Sequence, residues 1–186
     1  MRKLYLIFYL CCLLSTITAC SSGDVDSLKT LSSDDEVLLR SILQEEDSRP
    51  KSDVGIPKIM DGLDSDNSEI RRIAVRSLGR LERPDLVDEI GSVFRNDPSS
   101  SVRPEAANAL AQAVIREESA GVQWILINSI AHEVDRGVRG VVAQSLGRLI
   151  YTTDEAIAPA EEAMMKAMEN GSVGAIIGAV RGFESL

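Results

Sequence analysis

A ten-residue segment that returns at near-regular intervals restricts this chain to a narrow set of folds. Its copies read Ile70-Arg71-Arg72-Ile73-Ala74-Val75-Arg76-Ser77-Leu78-Gly79, Val102-Arg103-Pro104-Glu105-Ala106-Ala107-Asn108-Ala109-Leu110-Ala111 and Val138-Arg139-Gly140-Val141-Val142-Ala143-Gln144-Ser145-Leu146-Gly147. A weaker fourth copy starts at Val173, and the spacings between copies are 32, 36 and 35 residues. A unit of that length cannot shelter its apolar side alone, so the units stack and share one core. The expected fold is all-α: an α-solenoid of about four helix pairs. No catalytic group recurs with the period, which points to a surface that binds rather than one that reacts.

The pairs can be drawn from apolar periodicity and punctuation. The first helices fall near residues 54–63, 84–94, 121–131 and 159–168, and the second near 69–81, 102–115, 137–150 and 173–183. Pro57, Pro84, Pro104 and Pro159 stand at or near first turns, where a missing N–H costs little. Ile56-Pro57 and Ala158-Pro159 look equivalent. In each second helix small residues (Ala74, Ala106, Ser77, Ala109, Ser145) allow close neighbours, and Gly79, Ala111 and Gly147 share one register. Glycine inside a helix costs about 1 kcal/mol relative to alanine, so its return marks a close helix contact. Ahead of the pairs, residues 34–46 carry Val37, Leu38, Ile42 and Leu43 at helical spacing and form an N-terminal capping helix.

The N-terminus is organised differently. Arg2 and Lys3 precede an apolar run over residues 4–14, which is 11 residues long and ends before Ile17-Thr18-Ala19-Cys20. A bilayer span needs about 20 apolar residues, whereas a signal h-region needs fewer. Small residues before a cysteine resemble the lipobox of bacterial lipoproteins. The resemblance implies a signal peptide over residues 1–19, cleavage before Cys20, and fatty acyl chains such as palmitate on Cys20. Two or more chains give stable membrane attachment where one is marginal. Residues 20–33 then serve as a polar tether and residues 34–186 as the folded domain. Ser21 after the cysteine is compatible with the outer membrane in such lipoproteins, so the expected location is the bacterial cell envelope, lipid-anchored at the periplasmic face of the outer membrane. Cys11 and Cys12 leave with the signal, and no thiol remains for a disulfide or a metal.

Charge and composition narrow the partners. Loss of residues 1–19 lowers the 20 basic side chains to 18 against 29 acidic ones, a net charge of −11. Such a surface repels phosphate backbones, so no nucleic-acid partner is expected. With one Trp and few other aromatics, the core must be built from Ala, Leu, Ile and Val.

The repeats resemble HEAT repeats, in particular the short bacterial kind of phycobilisome lyase subunits. The residues that carry the resemblance are Ile56-Pro57, Leu63, Asp64 and Asp66, Ile70-Arg71, Ala74 and Ser77-Leu78-Gly79. The ankyrin Thr-Pro-Leu-His tetrapeptide and the Trp and Tyr pattern of tetratricopeptide repeats are missing. The resemblance implies a ladder in which turn acids pair with the arginine opening each second helix. Arg71, Arg103 and Arg139 hold that place, Asp66, Asp97 and Asp135 are the expected acids, and the ladder should lapse at Gly174. It also implies that the second helices line the concave side.

Little here supports chemistry. His132 is the single histidine, which excludes a triad or a multi-histidine metal site. The acid runs Asp34-Asp35-Glu36, Glu45-Glu46-Asp47 and Glu117-Glu118 lack calcium-loop spacing and read as solvated helix ends. Residues 137–140 lack the Lys-Ser or Lys-Thr of a phosphate loop. The chain is therefore read as a non-enzyme without cofactor or metal. One pattern lies outside the structural ones. Arg76 and Arg80, Asn108 and Gln112, and Gln144 and Arg148 stand one turn apart on the outward side of successive second helices. They form a neutral-to-basic ridge suited to an acidic or extended segment of another protein. A lipid-anchored protein-interaction scaffold is the expected function. The alternatives are a structural envelope component or a piece of a longer array, and an enzyme-associated, lyase-like subunit. Ile176, Ile177, Val180 and Phe183 are expected to leave an apolar edge that favours self-association through the C-terminal repeat.

Overall fold

A computed structural model of the chain describes residues 31–52, 54–117, 119–169 and 172–186. Among the described residues there are nine α-helices, one 3-10 turn and no strand. Helix α1 is Ser33–Asp47. Four pairs follow: α2 (Pro57–Leu63) with α3 (Ser68–Arg80), α4 (Val87–Asn96, entered through the 3-10 turn Pro84–Leu86) with α5 (Val102–Ala113), α6 (Ala120–His132) with α7 (Arg136–Gly147), and α8 (Asp154–Glu169) with α9 (Val173–Ser185). The second helices stack in chain order, α3 on α5, α5 on α7 and α7 on α9. The first helices form a layer beside them, and α1 covers α2 and α3. The arrangement is the all-α solenoid that the repeat period predicts.

The core has the periodicity of the repeat. Ile70, Val102 and Val138 are at most 1% exposed, and Ala74, Ala106 and Val142, Ser77, Ala109 and Ser145, and Leu78, Leu110 and Leu146 are fully buried. Ile59, Ile90 and Leu126 meet them from the first helices with no exposure. Each of these large side chains contributes about 1.5–3 kcal/mol by leaving water. Small residues set the spacing between stacked helices. A methyl at Gly79 would lie 2.6 Å from Cα of Ala109, so only glycine admits that approach.

The fourth pair departs from the pattern. In α9 the residues equivalent to the core positions point outward: Val173 is 74% exposed and Ile177 and Val180 are each 45% exposed. The buried side is instead Ala175, Gly178, Ala179 and Gly182. At 100° per residue these two sets lie about half a turn apart. The cause is steric. A methyl at Gly140 would come within 2.6 Å of the Gly174 carbonyl, and one at Gly147 or Gly178 would run into the backbone of Gly182 or Gly140. Helices α7 and α9 meet backbone to backbone through glycine faces, which a β-branched face cannot do. In α8 the helix starts at Asp154, so Pro159 lies inside it rather than at its first turn. The extra turn is capped by Thr153, whose hydroxyl accepts from the Ala156 amide at 3.2 Å. Pro159 is thus not the equivalent of Pro57, which does open α2.

The capping helix is held by polar contacts more than by its apolar stripe. Of Val37, Leu38, Ile42 and Leu43 only Ile42 is buried, and Val37 is 63% exposed. In the acid run at its end Asp47 is exposed, but Glu45 and Glu46 are not solvated ends. Glu46 is buried, with its carboxylate accepting from Ser77 Oγ at 2.5 Å and pairing with Arg80 at 2.9 Å. Glu45 accepts from the Ile59 amide at 2.8 Å and satisfies the first turn of α2.

Candidate protein-interaction surface

Three features were legible or half-legible in sequence: the ladder, the ridge and the apolar edge. The ladder forms, with different partners. Arg71 donates to Asp97 from Nε at 2.7 Å and from Nη2 at 3.2 Å, and to the Ser65 carbonyl at 2.8 Å. Arg103 donates to Glu133 at 2.9 and 3.0 Å and to the carbonyls of Asp97 and Pro98 at 3.2 Å. Each arginine therefore staples its own turn and reaches the acid of the next repeat. Asp66 stands beside Arg71 only as a through-space charge. Asp135, the third of the expected ladder acids, instead caps α7 by accepting from the Gly137 and Val138 amides at 2.7 and 3.1 Å.

The acid's true register is five residues before each Ile or Val that opens the repeat: Ser65, Asp97, Glu133 and Met168. That position also caps its turn, Asp97 accepting from the Ser99 amide at 2.8 Å and Glu133 from the Asp135 amide at 2.8 Å. With Met168 in the fourth copy, the ladder ends one repeat earlier than expected. The Arg139 side chain makes no ion pair among the described residues, and its Nε is buried without a partner. Burial pushes the Asp97 carboxyl up, but the bonds from Arg71 and Ser99 and the charge of Arg103 outweigh it and hold the group below its ordinary range. Glu133 is lowered against the same opposing burial by Arg103 and the Asp135 amide.

The ridge is a seam in part. Arg80 is occupied by Glu46. Asn108 Oδ1 accepts from Ser145 Oγ at 3.3 Å, joining α5 to α7. The Gln112 amide oxygen lies over Gly79, 2.9 Å from where a methyl would stand. Arg76, Asn108, Gln112, Gln144 and Arg148 are half-buried rather than fully outward. Arg76 and Arg148 make no ion pair among the described residues, and Arg76 Nε is shielded without a partner. The C-terminal edge is present: Ile176 is 42% exposed beside Ile177 and Val180. Cys20 and the signal segment lie outside the described residues. No helix of the described residues is long and apolar enough to cross a membrane.

A groove on the other layer escaped the sequence reading. Helices α4 and α6 enclose a cavity of about 510 Å³ whose walls include Phe94, Arg95, Trp124, Ile125, His132 and Val134. The Arg103–Glu133 rung also lines it. His132, the single histidine, is exposed at the end of α6, with Nδ1 2.9 Å from the Asn128 carbonyl. The signal that pointed here was Trp124, a single tryptophan in a chain poor in aromatics.

Residues 56–147 match the HEAT repeats family. The matched stretch runs from the residue before α2 to the last residue of α7, so these three pairs carry the HEAT-repeat pattern. The match stops before the fourth pair, in which α9 turns its other side to the stack. No curated protein and no solved structure gave a match. HEAT repeats are generally scaffolds for protein–protein interaction.

Proposed function

We propose that this chain is a lipid-anchored scaffold of the bacterial cell envelope, with its repeats held at the periplasmic face of the outer membrane and no catalytic role. The observation that carries the scaffold reading is the stack itself. Three HEAT pairs share one core and are joined by two bidentate rungs, Arg71–Asp97 and Arg103–Glu133. Such a stack presents a fixed row of side chains at low entropic cost on binding. Of the ridge's three arginines, Arg76 and Arg148 make no ion pair among the described residues, and an acidic or extended segment is the occupant they suit. The anchor rests on the lipobox-like Ile17-Thr18-Ala19-Cys20.

Two experiments test this reading. Metabolic labelling with a fatty acid should mark the wild type and not Cys20→Ala, and equal labelling would remove the anchor. Affinity capture from envelope extracts should recover a partner whose yield falls with Arg76→Glu and Arg148→Glu together. A partner recovered undiminished would displace binding from this ridge. The exposed Val173, Ile176, Ile177 and Val180 favour a second reading, a structural role through self-association. Light scattering at rising concentration distinguishes it, since a monomer throughout contradicts it.

A further inference from the structure

We propose that the groove between α4 and α6 is a second binding site, on the layer opposite the ridge, for a short acidic peptide segment that carries an aromatic or large aliphatic side chain. The groove's walls are apolar in an unusual way for an Ala- and Leu-built domain. Trp124 is 67% exposed and Val134 is 88% exposed, while Phe94 forms a buried base. Large apolar groups are left in water at such levels where something else covers them. The indole N–H of Trp124 makes no hydrogen bond among the described residues, so it is free to donate to a peptide carbonyl. A volume of about 510 Å³ is within the range of pockets that enclose small ligands, enough for about two or three peptide residues.

Charge selects the acidic ligand. Two carboxylates line the groove, Asp97 and Glu133, and both are already bound by arginines of the ladder. Arg95 is the lining charge that has no ion pair among the described residues. Its guanidinium lies along α4 over Gly91, where a methyl would stand 3.1 Å from Arg95 Nη1 and 3.6 Å from Ile125 Cδ1. Glycine at 91 thus leaves the room in which Arg95 rests against the groove. The molecule as a whole is acidic, but at physiological salt its charge is felt over only about 8 Å. The Arg71–Asp97 and Arg103–Glu133 pairs cancel, and Arg95 is the lining charge left over. Trp and Arg together are the residue types that dominate binding hot spots.

Trp124 is the one tryptophan of the chain, so intrinsic fluorescence reports on this groove alone. The full chain is titrated with an acetylated, amidated pentapeptide in which one phenylalanine and one leucine stand among three glutamates, and with its counterpart carrying three lysines. The expected result is a saturable blue shift with the glutamate peptide and at least tenfold weaker binding of the lysine peptide. Arg95→Glu should invert that order. With a dye-labelled glutamate peptide, anisotropy should show at least a tenfold loss for Trp124→Ala. Arg76→Glu with Arg148→Glu should leave the titration unchanged, which keeps this site separate from the ridge. No saturable shift, equal binding of both peptides, or indifference to Arg95→Glu overturns the proposal. A shift that grows with protein concentration alone overturns it too, because a second copy would then be the occupant.

Discussion

Replacing each ladder arginine by alanine should give two large losses of stability and one small one. Arg103 makes two charge-assisted bonds to Glu133 and two bonds to backbone carbonyls. The side chains of this pair are 18% and 9% exposed. An exposed ion pair contributes about 0–1 kcal/mol, and breaking a buried one costs about 3–5 kcal/mol. The Arg103–Glu133 rung lies between, so Arg103→Ala should cost about 2–3 kcal/mol. Arg71→Ala should cost about the same, because its pair with Asp97 is 14% and 5% exposed and it also holds the Ser65 carbonyl. Arg139 occupies the same place in its helix, but the acid's register in the next repeat holds Met168, and the Arg139 Nε has no partner. Arg139→Ala should cost less than about 1 kcal/mol. Urea denaturation followed by circular dichroism reads all three, with the midpoint converted through the m value. Equal losses at the three positions would refute the account, since they would mean that the arginines act through something other than the next repeat's acid.

Three further outcomes follow from the same contacts. Asp97 and Glu133 are lowered from ordinary values of 3.8 and 4.5, so their contribution is complete above those values and is lost as pH falls through the lower folded ones; the deficit of Arg103→Ala should shrink between pH 6 and pH 3 in denaturant titrations. Gly147→Ala drives a methyl to 2.5 Å from the Gly182 carbonyl carbon and should cost about 1–3 kcal/mol by overpacking, whereas Gly121→Ala, exposed and with nothing nearer than 4.0 Å, should be neutral or stabilising by thermal melt. Glu82 has φ 52° just past α3 and pairs with Arg116, which is 82% exposed. Relief of the left-handed backbone is worth about 1 kcal/mol and the exposed pair less, so Glu82→Gly should raise the midpoint of unfolding.

What the sequence disclosed was the part governed by period. Ile70, Val102 and Val138 announce the core because the same packing problem is solved each time, and the arginines beside them announce the ladder. The acids were harder to place, because Asp66 and Asp135 sit nearer each helix start and look more like partners than Ser65 and Glu133 do. Their register appears only when counted back from the Ile or Val. The turn of α9 was hidden for a different reason. Val173, Ile177 and Val180 keep the repeat's spelling, while the opposite side, Ala175, Gly178, Ala179 and Gly182, fits α7 more closely. Pattern alone does not say which of two competing faces wins. The groove was hidden because Phe94, Arg95, Trp124 and Val134 come from two repeats and belong to no recurring motif.

Cross-linking across the second-helix layer tests the stack most directly. With Cys11, Cys12 and Cys20 replaced by serine, Asn108→Cys combined with Ser145→Cys should form a disulfide under mild oxidation, since the two native side chains touch at 3.3 Å. Arg76→Cys combined with Ser145→Cys, two helices apart, should not. Linkage of the distant pair, or none for the adjacent one, would contradict side-by-side stacking of α3, α5 and α7.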